Sequence, residues 1–355
     1  MFDASRYRRL AADLSALDPR FDRKRFLAMT LRGLGERSLL ERLHQTTLAC
    51  DAALPGDYGE KLAVLRRLAP RIGHPFVAIF TSDFVSRYGL EHFDDSLEAL
   101  RFFTRFGSSE FAVRAFIEHD QDRTLAVMTT WASDTDEHVR RLATEGSRPR
   151  LPWGRRLSNL VRDPAPTLPI LTRLRSDPSL YVRKSVANHL NDISKDHPKW
   201  MVAQLRRWGI THPHTAWIAK RAARTLIKAG HPAALRLFRF NARPAVQVVG
   251  FRVVRQNLEL GEALEFLGTV NSTAPRTQRL VIDYVVHYVK QRGGTARKVF
   301  KLTEADLAPK KSIAIRKRQV LRDFTTRKHH PGLHRIELQI NGTVAAKAHF
   351  VLRTA

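Results

Sequence analysis

Along the first two-thirds of the chain, apolar residues recur at three- and four-residue spacings. In "DEHVRRLATEG" (136–146), Val139, Leu142 and Ala143 fall on one helical face, with Arg140, Arg141 and Thr144 on the other. "FAVRAFIEHD" sets Phe111, Ala115 and Ile117 among charges, and "DPSLYVRKSVANHL" does the same with Val182, Val186 and Leu190. Terminal signals frame these segments. Asp136 and Glu137 suit a helix start. Gly146 reads as the C′ residue that stops the helix 136–145. Asp177 reads as an N-cap and Pro178 as a first helical residue.

These segments resemble one another. "SDTDEHVRR" (133–141) and "SDPSLYVRK" (176–184) match at a spacing of about 43 residues, and helical segments, "RTLAVMTTWAS" and "APTLPILTRLR", precede them. "KWMVAQLRRWGI" and "AWIAKRAARTLIKAG" supply a further pair. A helix pair repeated at roughly 26 to 43 residues predicts a HEAT-like helical-repeat solenoid over residues 1–238. Arg114, Arg140, Arg141, Arg183, Lys184, Lys220 and Arg221 follow the buried position of successive second helices, so they are expected to line one surface.

The pattern changes at 239–355. "VQVVGFRVV", "EALEFLGTVNS", "LVIDYVVHYV" and "HRIELQINGTVAAKAHFVL" are rich in β-branched and aromatic residues. Ile336, Leu338 and Ile340 alternate with polar residues, and "NG" at 341–342 marks a hairpin turn. Short strands with polar turns predict a small immunoglobulin-like β-sandwich. The fold class is therefore mainly α, with this second domain at the end.

Charge narrows the partner. The 355 residues carry 61 Lys+Arg against 34 Asp+Glu, a formal net charge of +27. Such an excess implies a polyanion, with nucleic acid first. Residues 241–355 alone hold roughly 21 basic against 8 acidic side chains, clustered in "ARK" (296–298), "PKK" (309–311), "IRKRQ" (315–319) and "TRKHH" (326–330). A membrane partner is not expected, because apolar runs fall short of the roughly 18 residues a span needs. "MFDASRYRRL" lacks the apolar core of a signal peptide. The single cysteine, Cys50, excludes an internal disulfide or a CxxC zinc site and fits a reduced thiol in a helix. We expect a cytoplasmic monomer with no metal or cofactor.

"EGSRPRLPWG" (145–154) carries the sharpest chemical signal. A glutamate at a helix C-terminus faces the negative end of the macrodipole, at about 0.3–1 kcal/mol. Arg148 and Arg150 follow and can offset it. Trp153 either meets a ligand or wedges two repeats apart. Glu110, near the start of one second helix, and Asp192, at the exit of another, occupy comparable places. Glu110, Glu145 and Asp192 are thus expected to converge inside a basic surface. Acids there suit a cation that is bound or that develops during reaction, such as the sugar of an N-glycosidic bond under cleavage. A carboxylate about 4 Å from a unit positive charge contributes on the order of 4 kcal/mol at an effective dielectric near 20. A nucleic-acid-binding scaffold without catalysis is the alternative, and charge alone admits an RNA partner equally.

At these residues the sequence resembles the AlkC branch of the AlkC/AlkD HEAT-like DNA glycosylases. The resemblance runs through "FDRKRF", "FVSRYGLEHFDDSLEALRFFTRFGSSEFAVRAFI" (84–117), "HVRRLATEGSRPRLPWG" (138–154) and "DPSLYVRKSVANHLNDISKDHP" (177–198), and the tail is similar to an immunoglobulin-like domain of that branch. It implies monofunctional removal of N3-alkylated bases such as 3-methyladenine and 3-methylcytosine from double-stranded DNA, without a conventional base-flipping pocket. It implies Glu145 and Asp192 as carboxylates near the lesion sugar and Glu110 as a further acid. Arg148 would touch phosphate or lesion, and Trp153 the lesion nucleotide. Arg141, Arg150, Arg183 and Lys184 complete the expected DNA-binding set.

Overall fold

A computed structural model describes residues 1–324 and 328–353. Arg327, with part of the "TRKHH" cluster, lies outside them. The chain forms two compact units: residues 1–197 with 207–222, and residues 198–206 with 223–355.

The first unit is helical. Its helices are α1 (Ala4–Leu17), α2 (Arg23–Leu31), α3 (Leu39–Ala53), α4 (Tyr58–Leu68), α5 (Pro75–Tyr88), α6 (Phe93–Phe103), α7 (Val113–His119) and α8 (Gln121–Trp131). Then come α9 (Glu137–Gly146), α10 (Ser158–Arg162), α11 (Leu168–Arg173), α12 (Leu180–Asp196) and, past α13 (Pro198–Trp208), α14 (Pro213–Ala222). Acceptor side chains start many of them. Asp3, Asp22, Asp120 and Asp136 each accept a first-turn backbone N–H. Ser38 with Glu41, and Asp57 with Glu60, form reciprocal capping boxes. Burial then holds the helices together. Val139, Leu142 and Ala143 of α9 and Val182, Val186 and Leu190 of α12 are all buried, and the two helices pack directly. Cys50 is buried in α3, where burial pushes its thiol upward.

Three local expectations change. The cap of α12 is Ser179, whose hydroxyl accepts from the N–H groups of Tyr181 and Val182. Asp177 instead takes the Ser179 N–H and a long-range arginine, so Pro178 stays outside the helix. Gly146 is the last residue of α9 rather than a left-handed stop. Its lack of a side chain is a packing requirement, since a Cβ there would lie 2.5 Å from Val113 Cγ1. Thr144, placed by periodicity on the outer face, is buried, because α12 covers that side as well.

Ion pairs stitch successive repeats. Arg101 pairs with Asp134 at 2.6 Å, and Arg140 with Asp177 at 2.7 Å. Asp134 and Asp177 are the aspartates of the two matching "SD" segments, so the repeat seen in sequence is partly a repeated inter-helix bond.

The second unit contains α15 (Arg224–Lys228) and α16 (Pro232–Leu237), followed by β1 (Val246–Val253), β2 (Asn257–Glu259), β3 (Ala263–Ser272), β4 (Gln278–Val289), β5 (Thr295–Leu307), β6 (Ser312–Val320), β7 (Gly332–Ile340) and β8 (Thr343–Arg353). One sheet has the order β1-β3-β6; the other has β2-β8-β7-β4-β5. Both contribute to one core, with Phe266 and Val270 from the first meeting Tyr284, Ile336, Leu338 and Ile340 from the second. Asn341 and Gly342 both take positive φ, closing the two-residue β7–β8 turn as "NG" predicts. Gly342 also meets Gly230, whose Cα would lie 2.0 Å from an added Cβ. Gln339 donates to the Lys228 carbonyl at 2.7 Å, and Lys228 donates to the Val299 carbonyl at 3.1 Å. These bonds tie the last helical turns to the strands, so the compact division falls earlier than the change of residue pattern at 238/239.

Candidate functional site

Glu145, Arg148 and Asp192 meet at the junction of α9, the segment after it, and α12. Glu145 is 6% exposed, Arg148 7% and Asp192 3%. The Arg148 guanidinium lies between the acids. Its Nη1 donates to Glu145 Oε1 at 2.6 Å and its Nε to Asp192 Oδ2 at 2.8 Å, with Nη2 in ion-pair contact with the same oxygen at 2.8 Å. Ser185, two turns before Asp192 on α12, donates its hydroxyl to Glu145 Oε2 at 2.5 Å. Lys195 reaches Asp192 Oδ1 at 2.9 Å from a half-exposed position. The helical spacing 185, 189, 192 places Ser185, His189 and Asp192 on one stripe of α12.

Glu110 joins through Arg141. It lies in the turn before α7 and accepts hydrogen bonds from Arg141 Nη1 and from Ser108 Oγ, the latter at 2.7 Å. Arg141 Nη2 is also 3.5 Å from Glu145 Oε1, and its guanidinium lies 5.0 Å from the Tyr181 ring centroid. The three acids therefore belong to one ionic network, with Arg141 between Glu110 and Glu145 and Arg148 between Glu145 and Asp192.

Burial by itself would raise the Glu145 carboxyl. The charges of Arg141 and Arg148, with the Ser185 hydroxyl, outweigh it and hold the group below the usual carboxylate range. Burial would likewise lower Arg148, but Glu145 and Asp192 raise it. Both partners are thus charged at neutral pH. His189 behaves differently. Burial drops it to about 3, so it is a neutral imidazole, and its Nδ1 donates to the Thr144 carbonyl at 2.9 Å. That bond fixes the last turn of α9, one residue before Glu145.

Arg114 is the main revision. Sequence spacing put it on the exposed basic surface, yet it is 0% exposed. Its Nη1 donates to the carbonyls of Gly146 and Arg148, each at 2.8 Å, and its Nε to that of Arg155 at 2.8 Å. Burial draws its basicity down to about 10. Arg114 is therefore a pin for the segment that carries Arg148, Arg150 and Trp153. Buried carbonyls need donors, and one guanidinium offers five.

The other expected contacts fall into two groups. Arg150 is engaged by Asp196, with bonds of 2.9 and 2.7 Å. Arg183 donates to the carbonyls of Asp177 and Pro178 and lies 5.8 Å from the Trp217 ring centroid. Arg221 stacks on the same ring at 5.5 Å, an aromatic that the repeat pattern did not single out. Lys184 is exposed. Trp153 is 78% exposed and holds φ at +64°. An exposed ring does not wedge repeats apart. A bulky residue in the left-handed region stores roughly 1–3 kcal/mol of strain, and here it presents an indole to solvent.

Two family models match the chain, "DNA alkylation repair enzyme" over residues 104–228 and "Uncharacterised protein YhaZ, C-terminal Ig-like domain" over 247–354. The first range contains every residue of the carboxylate network. The fold superposes on the Pseudomonas fluorescens alkylpurine DNA glycosylase AlkC, solved bound to DNA containing an abasic site analog. The TM-score is 0.95 at 46% identity, covering 99% of this chain and 98% of that one. The chain belongs to the AlkC-type DNA alkylation repair enzymes. The AlkC-type chain is also similar in sequence to the uncharacterized protein YhaZ of Bacillus subtilis (strain 168), 43% identical over 327 residues, 92% of this chain and 91% of the relative. In this AlkC-type chain the repeats carry the acids, and the β-rich unit is Ig-like by its family match.

Proposed function

We propose that this protein is a monofunctional DNA glycosylase that hydrolyses the N-glycosidic bond of N3-alkylated bases in duplex DNA. The observation that carries the reading is the buried Glu145–Arg148–Asp192 group within the alkylation-repair match. Glu110 and Arg141 cancel in charge, and Arg141 also reaches Glu145 at 3.5 Å. Among the groups in direct contact, that leaves Glu145 and Asp192 against the Arg148 guanidinium, while the buried Arg114 is turned to backbone carbonyls. Lys195 supplies the balancing charge from a half-exposed position, where an incoming phosphate can draw it away from Asp192. Displacing it leaves a net negative centre suited to a cation.

Chemistry supplies that cation. An N3-alkylated base carries positive charge and leaves without prior protonation. As the bond breaks, the charge moves to the sugar. Carboxylates held in place by Ser185 and Arg148 stabilise it without reorganising. Glu145 and Asp192 act on the sugar, Glu110 sets Arg141, and the exposed Trp153 ring stacks against the lesion nucleotide. Arg148 orients the acids, and Lys184 and Lys195 meet phosphates. The reaction needs no amine nucleophile and no extrusion of the base into a deep pocket. The β-rich unit, a two-sheet sandwich of immunoglobulin type, adds phosphate contacts through exposed residues such as Arg316, Lys317 and Arg318.

The test is release of free base. Purified protein with duplex DNA carrying 3-methyladenine or 3-methylcytosine should liberate the base and leave an unbroken abasic strand. Binding without release would instead make the chain a scaffold.

A further inference from the structure

A cavity of about 390 Å³ opens in the first unit between α3, α5, α7 and the segment carrying Trp153. Its size falls within the roughly 300–1,000 Å³ of small-molecule sites. Leu40, Leu43, Ile79 and Ala115 give it apolar walls, and Phe111 and Trp153 add aromatic rings. Two of its wall residues are next in the chain to, or on the same segment as, site residues: Phe111 follows Glu110, and Trp153 lies on the segment that carries Arg148.

The polar wall sets the ligand class. Asp83 is flanked by Arg87, whose Nε lies 3.0 Å from Oδ2, and by His44, whose Nδ1 lies 3.2 Å from both oxygens. Arg155, also on the wall, is paired with Glu118 at 3.0 Å, so a phosphate would meet the Asp83 carboxylate and a cation the Arg87 guanidinium. The half-buried Ser86 hydroxyl oxygen and the remaining lone pairs of Asp83 can accept from ring N–H and amino groups. The site therefore favours a neutral, planar nitrogen heterocycle.

Hydrolysis generates such a molecule. The base departs with the electron pair of the bond to C1′, so a cationic N3-alkylated base becomes neutral on leaving. Water oxygen goes to C1′, and a proton goes to solvent. Product and bound lesion thus differ in charge, and the cavity matches the product.

We propose that this cavity receives the excised base, held against Phe111 and beneath the Trp153 indole, before release to solvent. The assignment rests on the glycosylase reading above. Its consequence is inhibition by free base at a site separate from the carboxylates.

The test titrates free 3-methyladenine into the full chain by calorimetry, alongside Ala115→Phe, which fills the cavity from a half-buried position on α7. Thermal melting confirms that the variant folds, and Asp83→Asn serves as a second variant of unchanged shape. Wild type should bind the base, Ala115→Phe at least tenfold more weakly and Asp83→Asn several-fold more weakly. Undetectable wild-type binding at about 1 mM base, or equal affinity in Ala115→Phe, overturns the assignment. Base release from methylated DNA is measured separately. Release without base binding removes the cavity's role and leaves the glycosylase reading standing; base binding without release does the reverse.

Discussion

Glu145→Gln isolates the charge on which the proposed catalysis depends. Gln has nearly the same shape, and its amide oxygen can still accept from Arg148 or Ser185, so geometry is largely kept. What disappears is one negative charge. Glu110 and Arg141 cancel in charge, so the groups in contact leave the centre with Glu145, Asp192 and the Arg148 guanidinium once Lys195 is displaced. The substitution takes it from one net negative charge to none. A unit charge at about 4 Å contributes roughly 4 kcal/mol at an effective dielectric near 20. Each 1.36 kcal/mol is tenfold in rate, so the expected loss is roughly a hundred- to a thousandfold. The assay is single-turnover excision of 3-methyladenine with protein in excess, together with duplex affinity by anisotropy. The chemical rate should fall while affinity changes less than about threefold, because phosphate contacts dominate binding. Asp192→Asn should behave alike, and the double variant should lose less than the sum, since both acids share Arg148. Rates within tenfold of wild type for both single variants would refute the electrostatic argument. A loss confined to affinity would assign these acids to binding.

Arg114→Met should destabilise the first unit by about 3 kcal/mol or more, since it strands the carbonyls of Gly146, Arg148 and Arg155; chemical denaturation measures this, and excision should fall with it. DNA affinity should drop steeply with salt, with a log–log slope of about −0.9 per phosphate contacted. Lys184→Ala should shallow that slope by about one and leave saturated excision unchanged. The depressed His189 gives an acid instability of calculable sign. Its unfolded form protonates near pH 6.5 while the folded form resists to about 3, so the unfolded state binds more protons between these values. Stability attributable to this group is full above about pH 6.5 and falls by roughly 1.4 kcal/mol per unit below it. His189→Asn should remove that part of the slope in denaturation curves taken from pH 7 to 5.

How much of this was legible beforehand differs residue by residue. Helical periodicity identified the α9 and α12 cores, because Val139, Leu142, Val182 and Val186 must be buried whatever surrounds them. The "NG" turn and the alternation of Ile336, Leu338 and Ile340 specified the last hairpin, as backbone sterics and a period of two require. The odd charge of Glu145 at a helix end marked the site, and Arg148 does answer it. Arg114, Arg140 and Arg148 looked alike in the sequence, each a basic residue near a helix face. The structure separates them into a pin for backbone carbonyls, a stitch between repeats and a bridge between acids.

Sequence alone determined what is local: helix and strand periods, turn chemistry, net charge, and the unusual placement of an acid. Tertiary structure decided what depends on distant partners. Ser185 and Asp192 reach Glu145 and Arg148 across separations of 40 and 44 residues, and Arg114 reaches Arg148 across 34. Whether an arginine meets solvent, a carboxylate or a carbonyl is set by which helix stacks beside it. Short-range patterning does not encode that choice, because an exposed and a buried guanidinium obey the same helical period.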